Sequence, residues 1–352
     1  MKKGVKGDFE RDLNFVLNIA QLLLNIYNKK MKRVFLTGCC GFIGWKVGEL
    51  LLKMGCDVLG VDDLNDYYDV RLKNWRLEQL SKRNIKFEKA DIVDPEIKKI
   101  IKKFSPDIII NLAARAGVRA SIIDPFIYFK TNTFGTLNLL EVCKDLKIKK
   151  FILASTSSLY AGEKIPFSEK LPVNNPISPY AASKKAAEVT CYTYYYLYGI
   201  NTTVLRYFTV YGPAGRPDMS VFKFIKQIDE GKEITIYGDG NQSRDFTYID
   251  DIAKGTIKGA KIDGFHIINL GNNKPYKLKE MIDLIEKNLG KKGKIKYSSF
   301  DKADIKQTWA DIRKAKKLLK WKPKIDLPEG IKKTIEWYKK NKGFLKDIKL
   351  NP

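Results

Sequence analysis

Tyr180 and Lys184 stand four residues apart in the stretch Tyr180-Ala181-Ala182-Ser183-Lys184, a spacing that puts both side chains on one face of a helix. A free tyrosine ionises near pH ~10, too high for a base at neutral pH, and a neighbouring ammonium favours the phenolate. Tyr180 is therefore read as a general acid/base for a substrate hydroxyl, with Lys184 as its electrostatic partner. Upstream, Ala154-Ser155-Thr156-Ser157-Ser158 closes an apolar run, and Thr156 can bridge to the phenol by hydrogen bond. A Tyr-x-x-x-Lys spacing alone is common by chance and needs company.

The segment Thr37-Gly38-Cys39-Cys40-Gly41-Phe42-Ile43-Gly44 supplies it, directly after the apolar run RVFLT. Glycines at 38, 41 and 44 allow a tight turn, close approach of backbone to a pyrophosphate and close packing of helix on strand. The helix N-terminus adds unpaired N–H groups for the phosphates. Asp62 ends the next apolar run, where an acid accepts the ribose hydroxyls of adenosine. An acid without an adjacent Arg points to NAD rather than NADP. The nicotinamide cation would then be a second charge favouring the Tyr180 phenolate. Cys39 and Cys40 read as small fillers of this turn.

These residues hang on an alternation of short β-branched runs and helical stretches. RVFLT precedes a helix over 43–54, DVLGV one over 70–82, IKFEKA one over 95–103, DIIINLA one over 125–146, and KFILAS one over 178–198, before NTTVLR. Strands apolar on both faces, each followed by a helix, predict a parallel sheet covered on both sides. The fold class is α/β, a doubly wound Rossmann sheet with a smaller C-terminal substrate domain. Residues 31–206 form the NAD-binding domain, 246–271 rejoin it, and 207–352 bind the substrate. Residues 1–30 read equally as a short amphipathic helix or as a dispensable extension before Met31.

The chain's 352 residues carry a net charge of +25, which on its own suits a nucleic-acid binder, a membrane-surface protein or an enzyme of acidic substrates. Of 65 cations 54 are Lys, scattered in pairs such as Lys98-Lys99 and Lys332-Lys333, as on a solvated helix surface. Arg suits bidentate recognition of carboxylate and phosphate, and Arg115, Arg119, Arg206, Arg216 and Arg244 gather in motifs. Ordinary Gly and Pro content excludes collagen-like and disordered chains, and five Cys without CxxC spacing predict a reducing cytoplasm and no metal site. No apolar run reaches the length of a membrane span. The single histidine, His266, lies in a strand and reads as structural.

Taken together, TGCCGFIG, GVDDLNDYYDVRLK (60–73), NLAARAGVR (111–119), STSSLY, YAASK, LRYFTVYGPAGRPDM (205–219) and GDGNQSRDFTYIDD (238–251) resemble the extended short-chain dehydrogenase/reductases, and within them the UDP-glucuronate 4-epimerases. The resemblance covers 33 to about 341. It implies NAD held by Gly38, Gly41, Phe42, Ile43, Gly44 and Asp62, with Asp91-Ile92 at the adenine, Ala113-Ala114 along the cofactor and Lys184 on the nicotinamide ribose. It implies a UDP-sugar met by Ser157, Thr209, Arg244 and Asp304, with Arg119 and Arg216 facing a sugar carboxylate. It also implies a homodimer through the helices over 132–146 and 178–198. Trp45 departs from the family, which has a small residue there.

The implied reaction is transient oxidation at sugar carbon 4, with Thr156, Tyr180 and Lys184 as the catalytic set. In the resembled dehydratases and decarboxylases acids follow the Thr. Here Ser157 and Ser158 do, which favours plain epimerisation. A UDP-glucose or UDP-N-acetylglucosamine 4-epimerase stays open as a rival that would not need two carboxylate-facing Arg. A cofactor-sensing or nucleic-acid-binding protein on the same fold is the rival from another class, at odds with the retained Thr156, Tyr180 and Lys184 and with the lack of an aromatic-basic stripe.

Overall fold

A computed structural model describes residues 33–299 and 305–350, which pack as one compact unit. The reading of residues 1–30, and that of Asp304, lie outside the described residues. The strands are β1 (Arg33–Thr37), β2 (Asp57–Asp62), β3 (Lys86–Lys89), β4 (Ile108–Asn111), β5 (Lys150–Thr156), β6 (Asn201–Tyr207), β7 (Thr209–Tyr211), β8 (Glu233–Tyr237), β9 (Ser243–Tyr248), β10 (Phe265–Leu270), β11 (Pro275–Lys277) and β12 (Lys294–Ser298). Seven of them make a parallel sheet in the order β10-β6-β5-β4-β1-β2-β3. β1 pairs with β2 on one side and β4 on the other, and helices on both faces bury strands such as IIIN on every side. This is the doubly wound Rossmann order, with its switch point between β1 and β4.

Two connections decide where chemistry can occur. Ser178 caps the helix Pro179–Tyr198 by accepting the Ala181 N–H (3.2 Å), Pro179 starts it, and Gly199 ends it with φ 64°. Tyr180 therefore sits in the first turn, at the C-terminal edge of the sheet. The stretch over 125–146, expected as one helix, is instead broken: Pro125–Tyr128 is α-helical, Phe129–Phe134 is a π-turn, and Gly135–Asp145 is α-helical again. The widened turn aims Asn132 Nδ2 at Ser183 Oγ (2.9 Å) and at the Arg115 carbonyl (2.9 Å), which a regular helix would not serve together.

β10 joins the large sheet beside β6, with Asn269 opposite Arg206. β9 lies between β7 and β11 in a small sheet, and β8 pairs with β12 in another. One hydrophobic core beneath the large sheet includes Phe35, Ile109, Leu139 and Phe151. A second gathers Phe224, Ile236, Phe246, Ile285 and Ile335, and it also takes Phe42 and Leu72 from the first half of the chain. The halves thus interleave through side chains. Trp45 finds its place in that seam: its ring meets Trp75 edge-on at 5.7 Å, and Trp75 meets Trp337 at 5.5 Å.

Candidate active site

The turn after β1 is built by its neighbour strand. Thr37 Oγ1 donates to Asn111 Oδ1 (2.7 Å) and accepts the Leu112 and Ala113 N–H groups (both 3.1 Å), tying the ends of β1 and β4 together at the switch point. Gly38 then turns with φ 65°, and a Cβ on it would lie 2.7 Å from the Ala113 nitrogen. Gly44 faces the same turn, where a Cβ would lie 2.0 Å from the Gly38 carbonyl. Gly41 caps the helix Phe42–Lys53 with no side-chain bond, so the first amides remain for an anion. Asp62 is buried and accepts the Cys40 and Leu64 N–H groups (both 3.0 Å). Burial pushes its carboxyl up, and Lys73, with Nζ 3.9 Å away, opposes this. Gly38, Gly41, Gly44, Asp62 and Ala113 are thereby brought together around one turn that fits a dinucleotide pyrophosphate and ribose. Ala114 continues the β4 loop, half-buried. After β3, Asp91 is exposed and accepts the Val93 N–H (3.0 Å), while Ile92 is buried under the helix Gly135–Asp145. Phe42 enters the second core, and Ile43 packs at its margin.

At the end of β5, Thr156 Oγ1 donates to Ser158 Oγ and accepts the Ser158 N–H (both 3.1 Å). Burial raises the Tyr180 phenol above its ordinary value; the neighbouring Thr156 hydroxyl and the Arg216 cation pull it down. Lys184 points elsewhere. Its ammonium donates to the Ala154 carbonyl (3.0 Å), because a buried amine with 3% exposure needs an acceptor. Burial lowers it to about 8, and Glu188 works in the opposite sense. Arg216 is the cation that lowers the phenol here, while the Lys184 ammonium is bonded to backbone. The Tyr128 ring completes the pocket, edge-on to Tyr180 at 6.1 Å.

Arg216 comes from the loop after β7. Its Nε and Nη2 donate to Asp218 (3.0 and 2.5 Å), Nη2 also reaches the Ala116 carbonyl (2.9 Å), and Tyr67 and Tyr68 lie beneath it with centroids at 5.4 and 5.7 Å. Burial opposes its charge, and Asp218 more than offsets this. Thr209, the first residue of β7, lines a shallow cleft with Arg216, Phe42 and Met219. The Arg119 guanidinium stacks 3.8 Å above the Tyr237 ring of β8. Arg244 braces backbone, with Nη1 on the Ser243 (2.9 Å) and Lys306 (3.3 Å) carbonyls. Ser157 is buried at the start of the 3-10 turn Ser157–Tyr160.

A second buried system escaped the sequence reading. Glu188 accepts Ser155 Oγ (2.6 Å), Arg206 Nε (2.9 Å) and Arg206 Nη2 (2.7 Å), and Arg206 Nη1 donates to the Tyr160 hydroxyl (2.8 Å). Tyr160 passes the chain on to Asn269 Oδ1 (2.8 Å). Arg206, grouped by sequence with the ligand-reading Arg residues, is a scaffold cation with 1% exposure. The signal that could have found its partner is periodic: Tyr180, Lys184 and Glu188 repeat every four residues on one helix face.

Comparison with known proteins gives a consistent picture. A profile of the family described as GDP-mannose 4,6 dehydratase matches residues 35–334. The UDP-glucuronate 4-epimerase of Thermodesulfobacterium geofontis is 57% identical over 317 residues, covering 89% of this chain and 98% of that protein. The crystal structure of UDP-glucuronic acid 4-epimerase from Bacillus cereus, in complex with UDP-glucuronic acid and NAD, is similar with a TM-score of 0.82 and 37% identity over 88% of this chain and 99% of that one. The UDP-glucose 4-epimerase of Thermotoga maritima with UDP-glucose reaches a TM-score of 0.80 at 31% identity, covering 88% of this chain and 99% of that one. Among the described residues no helix is long and apolar enough to cross a membrane, and no group of three or more His, Cys, Asp or Glu is placed to hold a metal ion.

Proposed function

The chain belongs to the family described as GDP-mannose 4,6 dehydratase, and from that premise we propose that it is an NAD-dependent isomerase that epimerises UDP-glucuronate to UDP-galacturonate at carbon 4. The observation that carries the substrate is Arg216, a guanidinium acting on Tyr180 with Nη1 still without a partner among the described residues. A uronate carboxylate is the planar anion such an edge takes. The cofactor reading rests on the turn at Gly38–Gly44 and on Asp62, which would hold the pyrophosphate and the adenosine ribose. NAD, when bound, supplies reversible hydride acceptance.

The rest of the chemistry belongs to this chain. Tyr180, with the Thr156 hydroxyl beside it, takes the proton from the carbon-4 hydroxyl and returns one to the keto oxygen after the sugar has turned over. Thr156 orients the phenol. Lys184 keeps a positive charge beneath the site and would reach the nicotinamide ribose. Ser157 and Thr209 would meet the sugar, while Arg244 and Asp304 would meet the uridine diphosphate half. No carboxylate follows Thr156, so no dehydrating acid is at hand. On this reading residues 31–206 carry the cofactor and 207–352 the nucleotide sugar, in a reducing cytoplasm that keeps the cysteines free.

Incubation with UDP-glucuronate, UDP-glucose and UDP-N-acetylglucosamine, followed by NMR, decides the substrate. The carbon-4 epimer of the uronate is expected, and conversion of only the neutral sugars would sink the uronate reading. Tyr180→Phe should lower kcat by about 100- to 10,000-fold with UDP-glucuronate affinity retained.

The reading extends to a homodimer. Helix Pro179–Tyr198 exposes Val189, Tyr192, Leu197 and Tyr196, the last by 75%, and Phe134 of the neighbouring π-turn is exposed by 60%. An apolar face of this kind on two packed helices suits a second copy of the chain. Light scattering should give a dimer, and Tyr196→Lys should shift it toward monomer.

A further inference from the structure

Helix Val70–Ser81 carries a cation that neither the catalytic nor the carboxylate-binding reading uses. Arg76 has 0% exposure, and among the described residues no carboxylate lies within ion-pair range of it. Its donors go almost entirely to backbone. Nη1 donates to the Cys40 carbonyl (3.0 Å) and the Tyr68 hydroxyl (2.6 Å), Nε to the Ala214 carbonyl (3.2 Å), and Nη2 to the carbonyls of Ala214 (2.7 Å) and Gly215 (3.2 Å). Five bonds match the five N–H groups of a guanidinium, so the fork is saturated.

The acceptors lie in two functional loops far apart in sequence. Cys40 is in the cofactor turn; its N–H is bonded to Asp62, and the next residue, Gly41, caps the phosphate-facing helix. Ala214 and Gly215 directly precede Arg216. Ala214 has φ 54°, a left-handed backbone that costs a non-glycine residue about 1 kcal/mol and persists only where its surroundings enforce it. The two bonds from Arg76 to the Ala214 carbonyl are such an enforcement. Burying an uncompensated guanidinium is expensive, so a fold that keeps one here uses its rigid geometry.

We propose that Arg76 is a positioning residue that holds the cofactor turn and the Arg216 loop in one frame, so that NAD binding and recognition of the sugar carboxylate both depend on it. This rests on the reading of Arg216 as the uronate clamp. A lysine would reach one carbonyl at a time, so it should not rescue the frame.

The test uses the full chain and its Arg76→Lys and Tyr68→Phe variants, with thermal unfolding run alongside. For Arg76→Lys, the Kd for NAD should rise by about tenfold or more, and the ratio of kcat/KM for UDP-glucuronate over UDP-glucose should fall by about fivefold or more. Tyr68→Phe removes one acceptor and leaves the two loops tied, so the same quantities should move by about threefold. A role confined to stability would lower Tm and leave both quantities within about twofold in the folded variants, which overturns the proposal. If Arg76→Lys does not fold, Tyr68→Phe alone decides: an unchanged Kd for NAD overturns the proposal and a raised one supports it. If the unaltered protein fails to convert UDP-glucuronate, the substrate reading falls, and the NAD titrations still judge Arg76.

Discussion

Arg206–Glu188 and Arg216–Asp218 are both two-point pairs between a guanidinium and a carboxylate, drawn from one continuous stretch of chain, and they do opposite work. In the first, both side chains are 2% exposed, and Ser155 and Tyr160 take up further bonding capacity. In the second, the side chains are 17% and 14% exposed, Arg216 lines a cleft with Thr209, and it keeps an edge open. A closed pair braces strands β5, β6 and β10. In the open pair Asp218 fixes the Arg216 plane, and the proposed substrate carboxylate would take the free edge. Residue type and even pairing geometry therefore do not distinguish the two; the atom left open does, since Nε, Nη1 and Nη2 of Arg206 are all bonded, whereas Arg216 doubles its bonds on Nη2 and leaves Nη1 unbonded among the described residues.

The comparison breaks first on stability. Arg206→Met leaves Glu188 charged and buried, and denaturant unfolding should show a loss of about 3–5 kcal/mol, most of it recovered in the Glu188→Gln/Arg206→Met double variant. Wild-type stability in the single variant would contradict the scaffold role. Arg216→Leu should do the reverse, lowering kcat/KM for UDP-glucuronate by about 30- to 150-fold with little change in Tm. A 4-keto uronate is a β-keto acid, so losing its carboxylate clamp should also release pentose products, visible by NMR. The smallest effect concerns pH. Lys184 is held down to about 8, so its ammonium is present below that pH and lost above it, and kcat should decline through about pH 8. Glu188 acts on Lys184 to raise it, so Glu188→Gln should move this alkaline limb to lower pH; an unmoved limb would remove Glu188 from the electrostatics of the site.

The cofactor end was legible because it is local. Glycine spacing, the strand before it and the helix after it are properties of contiguous residues, and Gly38 and Gly44 are required by backbone approach rather than by a partner's identity. Tyr180, Lys184 and their capped helix are legible for the same reason. The substrate end was read less well. Arg206 was grouped with ligand-reading Arg residues although it is sealed against Glu188. The stretch over 125–146 carries no breaker at its π-turn; Asn132 is placed there by Ser183 and Arg115, residues that only the folded chain brings near.

The net charge sorts the same way. Lysines such as Lys82, Lys98 and Lys99 end in surface pairs with Glu78, Asp145 and Glu96, the kind that contribute about 0–1 kcal/mol each. Read alone, the chain settles the parallel sheet, the glycine turn after β1 and the Tyr180–Lys184 face of one helix, since periodicity, glycine and helical spacing act between near neighbours. The three-dimensional arrangement alone decides which guanidinium is closed on a carboxylate, which one keeps an edge open and which one is bonded to two loops. A guanidinium's role depends on the acceptors within ~3 Å of it, and those come from residues distant in sequence.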